Sequence, residues 1–382
     1  MIKGFVFFKE GRLPFVINDY TMELFTDDDL LSDFAKTYNF EKDYVLHGEC
    51  FRDGFRGENA SFLVEYSMGS TCFLRCYILN IVEEGYDTIG LQSLFLDDIF
   101  RYKYKCLEFV RTGINLGVEP VDAYRISFSM NGTQYESTFR LGHDNRLGIL
   151  EDFDRKGEFL LSLQTNTLQE CYDISMVWYR LAMFMTSNSE VPFKRISLYK
   201  NARIAGWFYC PLVSRKAVST YDSFFYEFDV MKYVPRILNN LALDSGNRIT
   251  QSIPLGHLGN YDSKFLPQRF MEQVMAFEYL FNKLEPQKAQ NRRYSLKKEL
   301  EDMLNEFPKL LDGFKASPSE ISEQIKEIRR TIAHGYAYYY DFKNDIDNQR
   351  LIILLDKLIR NMSLFCIGFS KDEIDEYSIR AL

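Results

Sequence analysis

The chain has 382 residues, of which 46% are hydrophobic, 26% are charged and 16% are aromatic. This composition excludes an intrinsically disordered chain, because it provides enough apolar surface for a buried core, and the length is sufficient for two domains. The formal net charge of −8 excludes a protein that attracts nucleic acid by bulk positive charge.

Neither a secretory signal sequence nor a run of about 20 apolar residues that would cross a membrane is visible. The seven cysteines are scattered and include no Cys-x-x-Cys pair. This pattern indicates reduced thiols rather than a disulfide framework or a zinc site. We therefore expect a cytoplasmic protein.

Residues 1–215 are predicted to be rich in β-structure. Asn131-Gly132 lies between two alternating runs and predicts a two-residue hairpin turn. Short helices are expected at Asp27–Thr37 and near Leu94–Tyr102. Runs of aromatic and β-branched residues predict strands at Gly4–Phe8, Ser61–Tyr66, Thr71–Val82, Tyr124–Met130, Gln134–Arg140 and Phe159–Leu163.

One longer helix is predicted within this β-rich part, from about Leu168 to Met185. Thr167 and Glu170 have the spacing of a capping box, and an apolar run follows them. Two further strands are expected near residues 194–199 and 204–210. The first part of the chain is therefore interpreted as a β-rich domain with one substantial helix.

From about Asp229 the hydrophobic pattern becomes helical. Residues 216–260 are interpreted as a linker with a first helical segment, and residues 261–382 as an all-α bundle. The predicted fold class is α+β. Apolar residues at helical spacing mark three of the helices: Phe270, Val274, Phe277, Phe281 and Leu284; Leu296, Leu300, Met303, Leu304 and Phe307; and Leu351, Leu354, Leu355, Leu358, Met362 and Phe365.

A further helix is predicted to begin at Ser317, because Pro318 follows in the first turn and Glu320 lies three residues after the serine. Gly335 has the residue type that commonly ends a helix. An apolar stripe runs along the helix and consists of Ile321, Ile325, Ile328 and Ile332.

The polar residues of this helix are of types that can bind a phosphate group and transfer a proton. Arg330 and His334, four residues apart, share a face nearly opposite the isoleucines, and Arg329 flanks the apolar stripe. The negative end of the helix dipole favours a protonated histidine in the last turn. An imidazolium beside a guanidinium suits a phosphate group, so binding and cleavage of a phosphodiester is the first hypothesis.

The spacing of Arg329 and His334, with four residues between them, resembles the Arg-x4–6-His signature of the HEPN superfamily. The resemblance extends over about residues 230–382, where Met275–Leu280 resembles the acidic helix that precedes the motif in the ApeA-like branch. Residues 1–215 are similar, more loosely, to the N-terminal domain of ApeA-type abortive-infection proteins.

This resemblance implies a metal-independent endoribonuclease without a cofactor, acting as a homodimer or higher homo-oligomer in bacterial anti-phage defence. In the reaction that the resemblance implies, the 2′-hydroxyl of RNA, for example tRNA, attacks the adjacent phosphorus and leaves a 2′,3′-cyclic phosphate and a 5′-hydroxyl. Residue-by-residue transfer of the motif assigns Arg329 as phosphate ligand and His334 as general acid and base. Arg330 is assigned as a supporting phosphate contact. Helix geometry places Arg330 rather than Arg329 beside His334, so the identity of the essential arginine stays open.

The N-terminal domain is expected to act as a sensor that recognises a phage-derived trigger and restrains the nuclease. Glu278 and Tyr336 are expected to support the site indirectly or to pack within the bundle. A basic cluster is expected either to contact the RNA backbone or to form a solvated loop; it includes Arg292, Arg293, Lys297 and Lys298.

Two alternatives to the nuclease stay open. One is a non-catalytic HEPN scaffold that binds RNA or a protein partner. The other is a HEPN toxin that is silenced by an antitoxin.

Overall fold

The chain divides into two compact units. Unit 1 comprises Met1–Phe128, Gly132–Tyr179 and Val191–Val218, and unit 2 comprises Ser129–Asn131, Arg180–Glu190 and Ser219–Leu382. The computed structural model describes residues 1–38, 41–51, 57–79, 85–93, 107–112, 115–120, 124–141, 157–186, 191–213, 230–244, 249, 267–291, 293–335 and 342–380.

The first six strands of unit 1 close into a barrel. They pair in the order β6-β3-β2-β1-β4-β5, and β5 pairs again with β6, so that the ring is complete. Closure leaves these strands without a free edge. The elements are β1 (Ile2–Phe8), β2 (Gly11–Asn18), β3 (Thr21–Leu24), helix α1 (Asp28–Tyr38), β4 (Tyr44–Phe51), β5 (Gly57–Met68) and β6 (Thr71–Leu79).

Side chains alternate between buried and less buried positions along the strands, and the buried side chains fill the barrel. In β2, Leu13, Phe15 and Ile17 are buried while the residues between them are less buried. The ring of Phe15 meets that of Phe62 from β5 edge-to-face at 5.2 Å between ring centres. Helix α1 adds the fully buried Phe34, whose ring lies 5.2 Å from that of Phe8. The barrel therefore has an aromatic core of its own.

The remaining strands continue the sheet from β6 in the order β14-β13-β7-β12-β11-β10. Asn131 and Gly132 have φ of 52° and 78°, which confirms the predicted hairpin turn. The predicted helix near Leu94–Tyr102 lies outside the described residues. The elements are β7 (Thr88–Gln92), the separate hairpin β8 (Leu107–Thr112) and β9 (Asn115–Pro120), β10 (Tyr124–Met130), β11 (Thr133–Leu141), β12 (Gly157–Ser162), helix α2 (Leu168–Thr186), β13 (Arg195–Lys200) and β14 (Arg203–Tyr209).

Helix α2 is anchored by a buried carboxylate. The Thr167 hydroxyl accepts the N–H of Glu170, as predicted for a capping box. The Glu170 carboxylate, however, accepts the backbone N–H groups of Gln164, Thr165 and Asn166 and the hydroxyl of Tyr135, at 2.6–2.9 Å. Burial alone would raise the pKa of Glu170, but these hydrogen bonds outweigh burial and hold the pKa below its ordinary value.

Unit 2 is helical in its described C-terminal part. Helix α4 packs against α8 and α7, and α6 packs against α7. The buried Gln273 amide of α4 donates to the carbonyl of Ile352 in α8 at 3.1 Å. The helices are α3 (Val230–Leu243), α4 (Pro267–Leu284), the single turn α5 (Pro286–Ala289), α6 (Leu296–Glu306), α7 (Pro318–Ala333), α8 (Phe342–Cys366) and α9 (Lys371–Arg380).

A β-rich first part followed by a helical last part confirms the predicted α+β class. Within the described ranges, no helix is both long enough and apolar enough to cross a membrane.

Candidate active site

Helix α7 begins as the sequence predicted. The Ser317 hydroxyl accepts the N–H of Glu320, and the Glu320 carboxylate accepts the N–H of Ser317 at 2.8 Å, so that both halves of the capping box are present. The helix ends at Ala333, His334 is the C-cap, and Gly335 has φ of 67°. His334 therefore lies at the C-terminal end of α7, and its side chain is exposed.

The apolar stripe of α7 is buried over only half of its length. Ile321 and Ile325 are each 1% exposed, whereas Ile328 and Ile332 are partly exposed. The four isoleucines form one stripe, as the sequence predicted, but its last two residues are not fully packed. Partly exposed apolar surface therefore flanks Arg329, on the face of α7 that lies nearly opposite Arg330 and His334.

Arg329 and Arg330 have different environments. Arg329 points to helix α4, where its Nη2 lies 3.6 Å from Oε1 of Glu278, and the two side chains are 42% and 36% exposed. Its Nε is buried and has no hydrogen-bond partner among the residues that the structure describes. Arg330 is 62% exposed and pairs with Glu327 of its own helix at 2.8 Å. Arg329 is therefore held between helices, while Arg330 lies on the surface.

A second glutamate stands near the Arg329–Glu278 pair. Burial raises the pKa of Glu278, and the charge of Arg329 opposes that rise. Burial and the charge of Glu278 together raise the pKa of Glu299 in α6 to about 7. The positive charge of Arg329 again opposes the rise. We refer to Glu278, Glu299 and Arg329 as the Glu–Arg–Glu cluster. It joins α4, α6 and α7.

Glu299 was not among the predicted site residues, although its spacing from the apolar residues of α6 indicates that it lies on the packed face of this helix. It lies between Leu296 and Leu300 and four residues before Met303, so it shares their face of α6. A charged residue on the packed face of an amphipathic helix indicates a specific polar environment.

The basic cluster is partly paired with acidic residues. Lys297 bridges to Glu323 of α7 at 3.1 Å, which links α6 to α7. Arg293 and Lys298 are exposed. Contact of this cluster with RNA stays a prediction, and Arg292 and Tyr336 lie outside the described residues.

The arrangement offers one proton-transfer group and two guanidinium groups on a single helix. His334 and Arg330 are one turn apart on the exposed surface, and Arg329 is oriented by a carboxylate of another helix. Such a set can bind a phosphate group and exchange a proton beside it.

Compared with protein-family models, with curated proteins and with solved structures, the chain matches none. The resemblance to the HEPN superfamily therefore depends on the motif residues and their positions in the helical part of the chain.

Proposed function

We propose that the protein is a metal-independent endoribonuclease of the HEPN type that acts in anti-phage abortive infection. The observation that carries this proposal is the position of His334. It lies exposed at the C-terminal end of α7, one turn after the exposed Arg330 and five residues after the anchored Arg329.

In the proposed reaction, His334 exchanges the proton of the attacking 2′-hydroxyl or of the leaving 5′-oxygen. Imidazole suits this role because it titrates near neutral pH. The bond between phosphorus and the 5′-oxygen breaks as the 2′-oxygen attacks, and the products are a 2′,3′-cyclic phosphate and a 5′-hydroxyl. The guanidinium groups stabilise the charge that develops on the phosphate oxygens.

A second copy of the chain is part of the proposal. In-line cleavage benefits from one base and one acid, and each chain provides one motif histidine. The partly exposed Ile328 and Ile332 flank Arg329 and form apolar surface that a second copy would cover. We therefore propose a homodimer in which two copies of α7 meet.

Arg329 is proposed as the principal phosphate ligand and Arg330 as the supporting contact. The Glu278 carboxylate restricts the guanidinium of Arg329, which lowers the entropic cost of orienting it toward a phosphate. Glu299, with a pKa of about 7, is partly protonated at neutral pH, so the cluster carries less negative charge than two ionised glutamates would give.

The scaffold alternative also has an observation in its favour. Both arginines are already paired with glutamates, Arg329 with Glu278 and Arg330 with Glu327, as in a surface network without catalytic use. A scaffold would bind RNA or a protein partner without cutting RNA.

The test is incubation of the purified full-length protein with total RNA in EDTA, followed by analysis of the product ends. The proposal predicts cleavage that leaves 2′,3′-cyclic phosphate ends. Binding without cleavage would favour the scaffold, and cleavage that requires an added divalent cation would contradict the proposed mechanism.

A further inference from the structure

Unit 1 contains a cavity that the proposed nuclease does not use. It has a volume of about 790 Å³ and is lined by residues of β1, β2, β6, β13 and β14, around the place where β6 pairs with β14. This volume is within the range of pockets that bind a single small molecule, roughly 300–1,000 Å³. Its lining combines aromatic rings with charged groups.

Three tyrosines form one wall of the cavity. Tyr77 of β6 and Tyr209 of β14 are partners in the sheet register, and their rings are stacked at 5.0 Å with 15° between the planes. The ring of Tyr20 lies 5.5 Å from that of Tyr77. Together with Trp207, these side chains offer flat apolar faces to an aromatic ligand.

The turn that carries Tyr20 has an unusual backbone. Asp19 and Tyr20 connect β2 to β3 with φ of 43° and 67°, the left-handed region that turns normally fill with Asn and Gly. A bulky aromatic residue is disfavoured there, and such strain is concentrated at functional sites. The Tyr20 hydroxyl donates to the carbonyl of Cys210 at 2.5 Å, which fixes the ring beside the cavity.

Two exposed cations stand at the same cavity. Lys194 and Arg195 line it, and the Arg195 guanidinium lies 4.7 Å from the centre of the Trp207 ring. Among the ion pairs of the described residues, neither cation has a carboxylate within 4.0 Å. Among the described residues that line the cavity, Asp19 is the acidic one, so their charged side chains sum to +1 on a chain with a net charge of −8. A local positive charge of this kind favours an anionic ligand.

We propose that this cavity binds a free nucleotide. The base stacks on the aromatic wall, the phosphate pairs with Lys194 and Arg195, and the Asp19 carboxylate accepts hydrogen bonds from ribose hydroxyls. A single nucleotide is favoured over an RNA strand because the cavity holds one small molecule and residues 1–260 carry a net charge of about −7, which repels a polyanion. This site is independent of the proposed nuclease function.

The test is calorimetric titration of the full-length protein with AMP and GMP, each compared with adenosine, ribose 5-phosphate, inorganic phosphate and an oligoadenylate strand. We expect at least one mononucleotide to bind, and adenosine and ribose 5-phosphate to bind at least tenfold more weakly. Trp207 gives a second signal, since the other tryptophan, Trp178, is fully buried. Nucleotide binding should quench fluorescence in the wild type and not in Trp207→Phe.

Arg195→Ala tests the phosphate contact, and Arg203→Ala is the matched control, because Arg203 is an exposed arginine of the same hairpin that does not line the cavity. We expect at least a tenfold loss of affinity for Arg195→Ala and no change for Arg203→Ala. No binding of either mononucleotide at millimolar concentration would overturn the proposal. Equal losses in the two variants, affinity for phosphate equal to that for AMP, or binding of the strand alone would overturn it as well.

Discussion

Two carboxylate sites of the molecule have opposite electrostatic character. Glu170 in unit 1 is 6% exposed and accepts three backbone N–H groups and a tyrosine hydroxyl. Glu278 and Glu299 in unit 2 are partly buried and share Arg329, whose Nη2 lies 3.6 Å from Oε1 of Glu278. The pKa of Glu170 is lowered, whereas the pKa values of Glu278 and Glu299 are raised.

This difference separates a stabilising site from a candidate functional one. Hydrogen bonds that satisfy the ionised carboxylate stabilise the fold, as at Glu170. A carboxylate that is desolvated beside another negative charge destabilises its own ionised form, and such groups occur frequently at active sites. The Glu–Arg–Glu cluster includes Arg329 of the candidate catalytic helix α7, which agrees with the view that carboxylates with raised pKa values mark a functional site.

The largest effect on stability is expected for Glu170→Ala. The substitution leaves the N–H groups of Gln164, Thr165 and Asn166 without their acceptor, and we expect a loss of about 3 kcal/mol or more. Urea unfolding followed by circular dichroism measures the loss. Glu136→Ala, an exposed glutamate of β11, is the control and should change the free energy of unfolding by less than about 0.5 kcal/mol. Equal effects of the two substitutions would contradict the stabilising role.

Glu299→Gln is expected to increase the stability of the fold, whereas Glu170→Ala decreases it. Because the folded-state pKa of Glu299 is about 7 and its ordinary value is 4.5, the folded wild type loses stability as pH rises from about 4.5 to 7. The neutral glutamine avoids this loss. After allowance for solvent screening, we expect the variant to be more stable than wild type by about 1–2 kcal/mol at pH 8, and the difference to shrink toward pH 5.

The measurement is urea unfolding of both proteins at several pH values. Glu301→Gln, at a partly exposed glutamate of the same helix that is not part of the Glu–Arg–Glu cluster, is the matched control and should show no such pH dependence. A Glu299→Gln variant that is less stable than wild type at pH 8 would show that the ionised carboxylate is favourable, and the comparison of the two carboxylate sites would fail.

A smaller gain in stability at pH 8 is expected for Glu278→Gln, because burial raises the pKa of Glu278 while its partly exposed pair with Arg329, which contributes about 0.2–1 kcal/mol, opposes that rise. Its effect on RNA cleavage distinguishes the two arginines. If Arg329 is the principal phosphate ligand, Glu278→Gln lowers the rate by roughly tenfold, or about 1.4 kcal/mol. Glu327→Gln, which breaks the pair of Arg330, then has a smaller effect. The reverse order of the two rates would assign the principal role to Arg330.

Local features of the fold were predictable from the sequence, and long-range ones were not. The capping box at Ser317–Glu320 and the turn at Asn131-Gly132 depend on residues adjacent in sequence, and the structure confirms both. Closure of the barrel depends on β6 pairing with both β3 and β5, which no local pattern encodes. The acceptor role of Glu170 toward the preceding loop also departs from the local rule.

The same distinction applies to the candidate site. The spacing of Arg329, Arg330 and His334 on one helix follows from helical geometry, so the sequence was sufficient for it. The approach of Glu278 and Glu299 to Arg329 requires α4, α6 and α7 to pack together. Glu278 was singled out through the family resemblance. The sequence places Glu299 on the packed face of α6, but only the packing shows that it lies near Arg329 and Glu278.

The central claim is that His334 transfers protons during RNA cleavage, and single-turnover cleavage of RNA in EDTA by wild type and His334→Ala tests it most directly. His47→Ala is the control, because His47 lies in β4 and contacts Ser61 at 2.9 Å. With folding verified by circular dichroism, we expect a loss of about 100-fold or more for His334→Ala and an unchanged rate for His47→Ala. Equal cleavage rates for wild type and His334→Ala would contradict the claim.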